Sequence, residues 1–137
     1  MILLDTNVVS ELMKVLPDRQ VGNWLKTIVN HPLATTAISI FEIEYGISRL
    51  PDGKRKQGLA ARFARLAGTM IIWPLDDAAA YKAGQFQADR ITAGYTPKVA
   101  DMMIAGIAAS LGASLATRNV RDFETLPFAL IDPWCVR

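Results

Sequence analysis

Short apolar runs alternate along the chain with stretches whose apolar positions recur at helical spacing. The runs are Ile2–Leu4, Leu33–Thr36, Met70–Trp73, Ser114–Ala116 and Ala129–Ile131. Each is brief and mostly apolar rather than alternating, as expected of strands buried on both faces of a sheet. Asp18 stands before Val21, Trp24, Leu25 and Ile28, an i, i+3, i+4, i+7 stripe with an acidic N-cap. Ser39-Ile40-Phe41-Glu42 has capping-box spacing, which predicts a helix opening at Ser39 with Glu42 in its first turn. A helix through Leu59, Phe63 and Leu66 is expected to stop at Gly68, and Asp76 or Asp77 to open another that runs to about Gly94. Thr96-Pro97 reads as N-cap and first residue of a helix that ends near Gly112. Strands separated by helices predict an α/β fold, a mostly parallel sheet of about five strands covered on both faces.

Composition narrows the class. The 137 residues suit one domain, expected over 1–137, and are enough to bury a core without disulfides. Fifteen Lys and Arg against thirteen Asp and Glu leave a net charge of +2, too mild to argue for nucleic acid by itself. A single cysteine, Cys135, excludes an internal disulfide and a cysteine-based zinc cluster. A single histidine, His31, excludes the two-histidine zinc helix, and its place beside Pro32 in a polar turn reads as a loop residue. Met1-Ile2-Leu3-Leu4-Asp5 has no basic lead-in, so no signal peptide is expected, nor is a membrane span; the expected location is cytoplasmic.

The chemistry lies in where the acids fall. Asp5 closes the first apolar run, and Asp122 follows the run 114–116. Both positions belong to the carboxyl edge of a parallel sheet, where ligands of open α/β folds bind. Glu42 and Asp101, each near the start of a helix, are expected at the same edge. Asp5, Glu42 and Asp122 each have an ordinary reading too, as helix cap, capping-box partner and turn residue. Asp101 resists one, because it shares a helix face with Ile104, Ala105 and Ala108. A carboxylate there costs several kcal/mol unless it is paired or bound to a metal. Two carboxylates ~4 Å apart repel by about 4 kcal/mol at an effective dielectric near 20. A hard cation such as Mg²⁺ or Mn²⁺ relieves that repulsion and equips a site for phosphodiester hydrolysis.

Four segments, in order, carry a family likeness. Leu3-Leu4-Asp5-Thr6-Asn7-Val8-Val9-Ser10-Glu11-Leu12 resembles the opening of PIN-domain ribonucleases, in particular the VapC and FitB-like toxins of type II toxin–antitoxin pairs. Glu42-Ile43-Glu44-Tyr45-Gly46, the helix from Asp101 through Ala109, and Thr117-Arg118-Asn119-Val120-Arg121-Asp122-Phe123 resemble the second, third and fourth motifs, and Ile131-Asp132-Pro133-Trp134 the FitB-like ending. The departures are Met102 and Met103, where smaller or other aliphatic residues are usual, and Gly106, where Ala is common.

The resemblance implies a three-layer α/β/α PIN-like fold and a Mg²⁺- or Mn²⁺-dependent endoribonuclease. It implies Asp5, Glu42, Asp101 and Asp122 as catalytic, metal-holding acids, with Thr6, Asn7, Thr117 and Asn119 shaping the site by hydrogen bonds. It also implies a homodimer and a VapB/FitA-like antitoxin that blocks the site, often with an arginine among the acids, and that alone supplies contact with promoter DNA.

For the RNA substrate, Arg118 and Arg121 flank the fourth motif and are the candidate contacts. Arg49, Lys54, Arg55, Lys56, Arg62 and Arg65 form a second basic set that reads equally as a solvated helix face. Two other functions compete. A phosphatase with Asp5 as nucleophile would need an Asp where Asn7 stands. A non-catalytic RNA-binding or interaction module would need no intact acidic set.

Overall fold

The computed structural model describes residues 1–135; the last two residues of the expected domain lie outside it. Five strands, β1 (Ile2–Leu4), β2 (Leu33–Thr36), β3 (Ile71–Trp73), β4 (Ser114–Ala116) and β5 (Leu130–Ile131), form one sheet in the order β3-β2-β1-β4-β5. Every pairing is parallel. The helices are α1 (Thr6–Leu12), α2 (Arg19–Thr27), α3 (Ala37–Ser48), α4 (Lys54–Ala67), α5 (Asp77–Thr92) and α6 (Val99–Leu111), with a 3₁₀ turn over Val120–Phe123.

Successive strand residues point to opposite faces, and this splits the core in two. Leu4 and Ala116 face the layer built by α1 to α4, with Val8, Trp24, Ile43 and Phe63. Leu3 and Leu115 face the layer of α5 and α6, with Ala79, Ile104 and Ala108. The crossover from β1 to β2 therefore packs on one face and the crossover from β3 to β4 on the other. The crevice outside the carboxyl ends of β1 and β4 is the switch point of the sheet.

Several local expectations hold. Asp18 caps α2 by accepting from the Gln20 and Val21 N–H groups. Asp76 caps α5, α4 ends at Gly68 and α6 at Gly112, the last with φ of 62°. His31 is an exposed turn residue, and Trp24 is core.

Others are corrected. Strand β2 runs into α3 without a linker, so Thr36 and not Ser39 is the N-cap, its hydroxyl accepting from the Ser39 N–H at 3.1 Å. Glu42 consequently falls in the second turn. Helix α6 starts two residues later than Thr96-Pro97 suggests, because the chain stays extended through Lys98. Strand β3 is not buried on both faces: as an edge strand it leaves Ile71 and Ile72 44% and 42% exposed.

Candidate active site

The site begins at two adjoining strand-to-helix junctions. Asp5 follows β1 and caps α1, and its Oδ1 accepts from the Thr6 N–H at 2.8 Å. Its Oδ2 accepts from the Thr117 hydroxyl, at the end of β4, at 2.7 Å. The same hydroxyl accepts from the Asn119 N–H at 3.0 Å. Both the capping role and the rim role of Asp5 are thus met by one side chain, which is only 3% exposed.

Thr6 then links the first junction to the second. Its hydroxyl donates to Glu42 Oε1 at 2.7 Å and lies 2.9 Å from Ser39 Oγ. A hydroxyl has one proton and two lone pairs; with the proton committed to Glu42, Thr6 accepts at the Ser39 contact. Ser39 in turn has the Thr36 hydroxyl 3.4 Å away. Glu42 is therefore held by a relay of hydroxyls and not by a helix cap.

Asp101 sits half-buried in the first turn of α6, and Asp122 lies exposed in the 3₁₀ turn. The two share the wall of a cavity of about 170 Å³. Burial, followed by repulsion from Asp5, Asp122 and Glu42, pushes the Asp101 carboxyl up to about 6, while Lys98 pulls the other way. Burial likewise raises Asp5; hydrogen bonds from Thr117 and Thr6 lower it, and the charges of Glu42 and Asp122 raise it further. Acids spread over 118 positions, from Asp5 to Asp122, thus act on one another at one edge of the sheet.

The donor set is all carboxylate oxygen, which suits a hard divalent cation. The acids stand as an open group: among the described residues no three His, Cys, Asp or Glu side chains are gathered closely enough to share one ion.

The remaining expected residues divide. Asn7 Oδ1 accepts from the Arg118 N–H at 3.3 Å, tying α1 to the end of β4. Asn119 acts through its backbone, as described above. Arg121 lines the cavity with Asp101 and Asp122. Arg118 does not line it; its guanidinium lies 4.9 Å from the centre of the Trp134 ring. In the second basic set, Arg62 donates to the Met13 carbonyl at 2.7 Å and Lys56 pairs with Asp52 at 3.4 Å.

Four contributors escape the sequence reading, one of them Lys98, which lines the cavity beside Asp101. Thr36 and Ser39 complete the hydroxyl relay. Arg90, buried in α5, forms part of the cavity wall. The signal for Arg90 was present: it continues the buried stripe of Ala79 and Ala83 at i+11 and i+7, where a cation needs a reason.

Residues 2–129 match the PIN domain family. The VapC ribonuclease Y4jK of Sinorhizobium fredii is 35% identical over 98% of this chain and 98% of its own length. Toxin FitB of Neisseria gonorrhoeae is 32% identical over 98% of this chain and 99% of its own. Among solved structures, FitAcB from Neisseria gonorrhoeae superposes with a TM-score of 0.86 at 32% identity, covering 99% of this chain and 100% of that one. DNA-bound VapBC from Salmonella typhimurium superposes with a TM-score of 0.82 at 26% identity, covering 98% of both chains. Fold, motif order and full-length likeness agree: the chain belongs to the PIN domain family.

Proposed function

We propose that the chain is a divalent-metal-dependent endoribonuclease, the toxin of a type II toxin–antitoxin pair, acting as one nuclease domain in the cytoplasm. What supports this most is the mutual electrostatic influence of Asp5, Glu42, Asp101 and Asp122 at the sheet's switch point. Relatives named as ribonuclease and as tRNA(fMet)-specific endonuclease support RNA as the substrate class.

Asp5, Glu42, Asp101 and Asp122 would hold Mg²⁺ or Mn²⁺ as an open set that leaves the ion part of its water shell; when bound, the ion supplies charge neutralisation at the scissile phosphate and a more acidic water. The chain's own residues orient and tune the acids. Thr117 and Thr6 fix both oxygens of Asp5, and Thr6 fixes Glu42, so these carboxylates need no rearrangement of their far oxygens. Asp101, whose carboxyl is raised by burial and by the neighbouring acids, is the member of the set whose charge a bound cation would relieve most. Asn7 pins the backbone at Arg118 and so fixes the turn that carries Asp122.

The partner is a VapB/FitA-like antitoxin, through which promoter DNA is contacted, and the toxin itself forms a homodimer. In support, Val15 and Leu16 stand 79% and 86% exposed after α1. Beside α1, an apolar groove is lined by Leu12 and Leu66 with Arg62 and Arg65. No helix among the described residues is long and apolar enough to cross a membrane.

The deciding experiment is incubation of the purified chain with total RNA, with and without EDTA, beside its Asp101→Asn variant. Cleavage is expected only for the unaltered chain with metal. Equal cleavage by the variant would remove catalysis from the acids, and no cleavage by any form would favour a non-catalytic binding module.

A further inference from the structure

The cavity that carries Asp101 and Asp122 has a second character. Three cations, Arg90, Lys98 and Arg121, line it as well. None is neutralised by the acids: the ion pairs among the described residues are Lys14–Glu11 and Lys56–Asp52. Cations and carboxylates within one small space would pair if the site served only its own stability. Held apart, they leave the cationic side free for an anion brought from outside.

Arg90 is built into this wall. It is 5% exposed, yet it forms no ion pair among the described residues. Its Nη2 donates to the Glu124 carbonyl, while its Nε is buried without a partner among the described residues. The end of α5 explains how it is held. Gly94, with φ of 92°, lets the chain turn back so that the Tyr95 N–H donates to the Arg90 carbonyl at 2.9 Å and the Gly94 N–H to the Ile91 carbonyl at 3.0 Å. This is a Schellman closure. It brings the Tyr95 ring under the Arg90 guanidinium, 4.7 Å from its centre. A buried guanidinium fixed on one side by a carbonyl and on another by an aromatic face is preorganised to bind the oxygens of an anion such as phosphate.

We propose that this cavity is a phosphate subsite, in which Arg90, Lys98 and Arg121 hold a backbone phosphate of the RNA strand adjacent to the one cleaved at the acids. The proposal rests on the ribonuclease reading and adds to it the group that sets the strand's register. Phosphate contacts of this kind position a strand without reading its sequence.

The test is binding of a labelled single-stranded RNA oligonucleotide to the full chain carrying Asp101→Asn, which stops cleavage, across a salt series. Lys98 and Arg121 are exposed, so Lys98→Gln and Arg121→Gln carry the test without disturbing the core. Each is expected to weaken binding, to reduce the slope of log affinity against log salt by roughly 0.7, and to do so equally for oligonucleotides of different sequence. Arg90→Lys, which keeps the charge but loses the fork, should weaken binding too, with its melting curve taken alongside. Lys26→Gln, on exposed α2 surface, is the control.

Unchanged affinity and slope in both glutamine variants would overturn the subsite while leaving the ribonuclease reading intact. A loss confined to one sequence would overturn it as well, since that is base reading. Inorganic phosphate bound through Arg121 with no effect of Arg121→Gln on RNA would make it a free-anion site instead. Absence of any RNA binding by the parent would sink both readings together.

Discussion

The Thr117 hydroxyl donates to Asp5 Oδ2 across 112 positions of sequence, at 2.7 Å and fully buried. It joins the carboxyl ends of β1 and β4 where the crossovers part to opposite faces of the sheet. The bond closes the back of the acidic site and sets the orientation of its most buried member.

Thr117→Val should therefore act on stability and activity together. It strands the buried Asp5 Oδ2, at a cost of about 1–3 kcal/mol, and leaves the N–H of exposed Asn119 to water. It also removes an interaction that lowers the Asp5 carboxyl, so the acid limb of the pH–rate profile should move to higher pH. Thr117→Ser should restore both. An unmoved acid limb in the valine variant would show that Asp5 does not titrate in the rate.

Asp101→Asn should abolish cleavage and yet stabilise the metal-free protein, because a repelled, half-buried carboxylate becomes neutral. The sign follows from the direction of the shift. Folding raises the carboxyl from 3.8 to about 6, so its stabilising contribution is full below 3.8 and is lost as pH rises through about 6. Melting temperature in EDTA should fall over that window for the parent, and fall less for the variant. Parallel curves for the two proteins would contradict the electrostatic account.

Divalent metal should reverse that penalty. Adding Mg²⁺ or Mn²⁺ at 100 times its dissociation constant stabilises a one-site protein by about 2.7 kcal/mol. The parent's melting temperature should rise accordingly, and far less in Asp101→Asn or Asp122→Asn. A rise of equal size in all three proteins would place the ion elsewhere.

Gly106 should not tolerate even one methyl group. A Cβ there would lie 2.3 Å from the Ala79 carbonyl oxygen and 2.9 Å from Ala83 Cβ, where α5 packs against α6. Overpacking costs about 1–3 kcal/mol, more than the roughly 1 kcal/mol that alanine gains over glycine in a helix. Urea unfolding of Gly106→Ala should show a net loss; a gain would mean that α5 shifts freely.

Much of this was legible along the chain. The five strands, the cap at Asp18 and the stops at Gly68 and Gly112 follow from local chemistry, which does not depend on the rest of the fold. The failures are local signals overruled from outside. Ser39 has the spacing of a cap, yet β2 feeds α3 directly and gives that place to Thr36. Thr96-Pro97 has the spacing of a helix start, yet the chain remains extended there and lines the cavity. Edge strand β3 reads like its buried neighbours, because neither its composition nor its length records which strand lies outermost.

The candidate site divides in the same way. Sequence alone determined which acids stand at the ends of apolar elements, and with that their place along one edge of a parallel sheet. Only the tertiary structure decided which acid each of Thr6 and Thr117 holds, and that Arg90, Lys98 and Arg121 stand beside the other two without an ion pair among the described residues. The physical reason is range. Capping and periodicity act over a few residues, whereas a hydrogen bond from Thr117 to Asp5 and repulsion between Asp5 and Asp101 exist only once the strand order has brought those positions together.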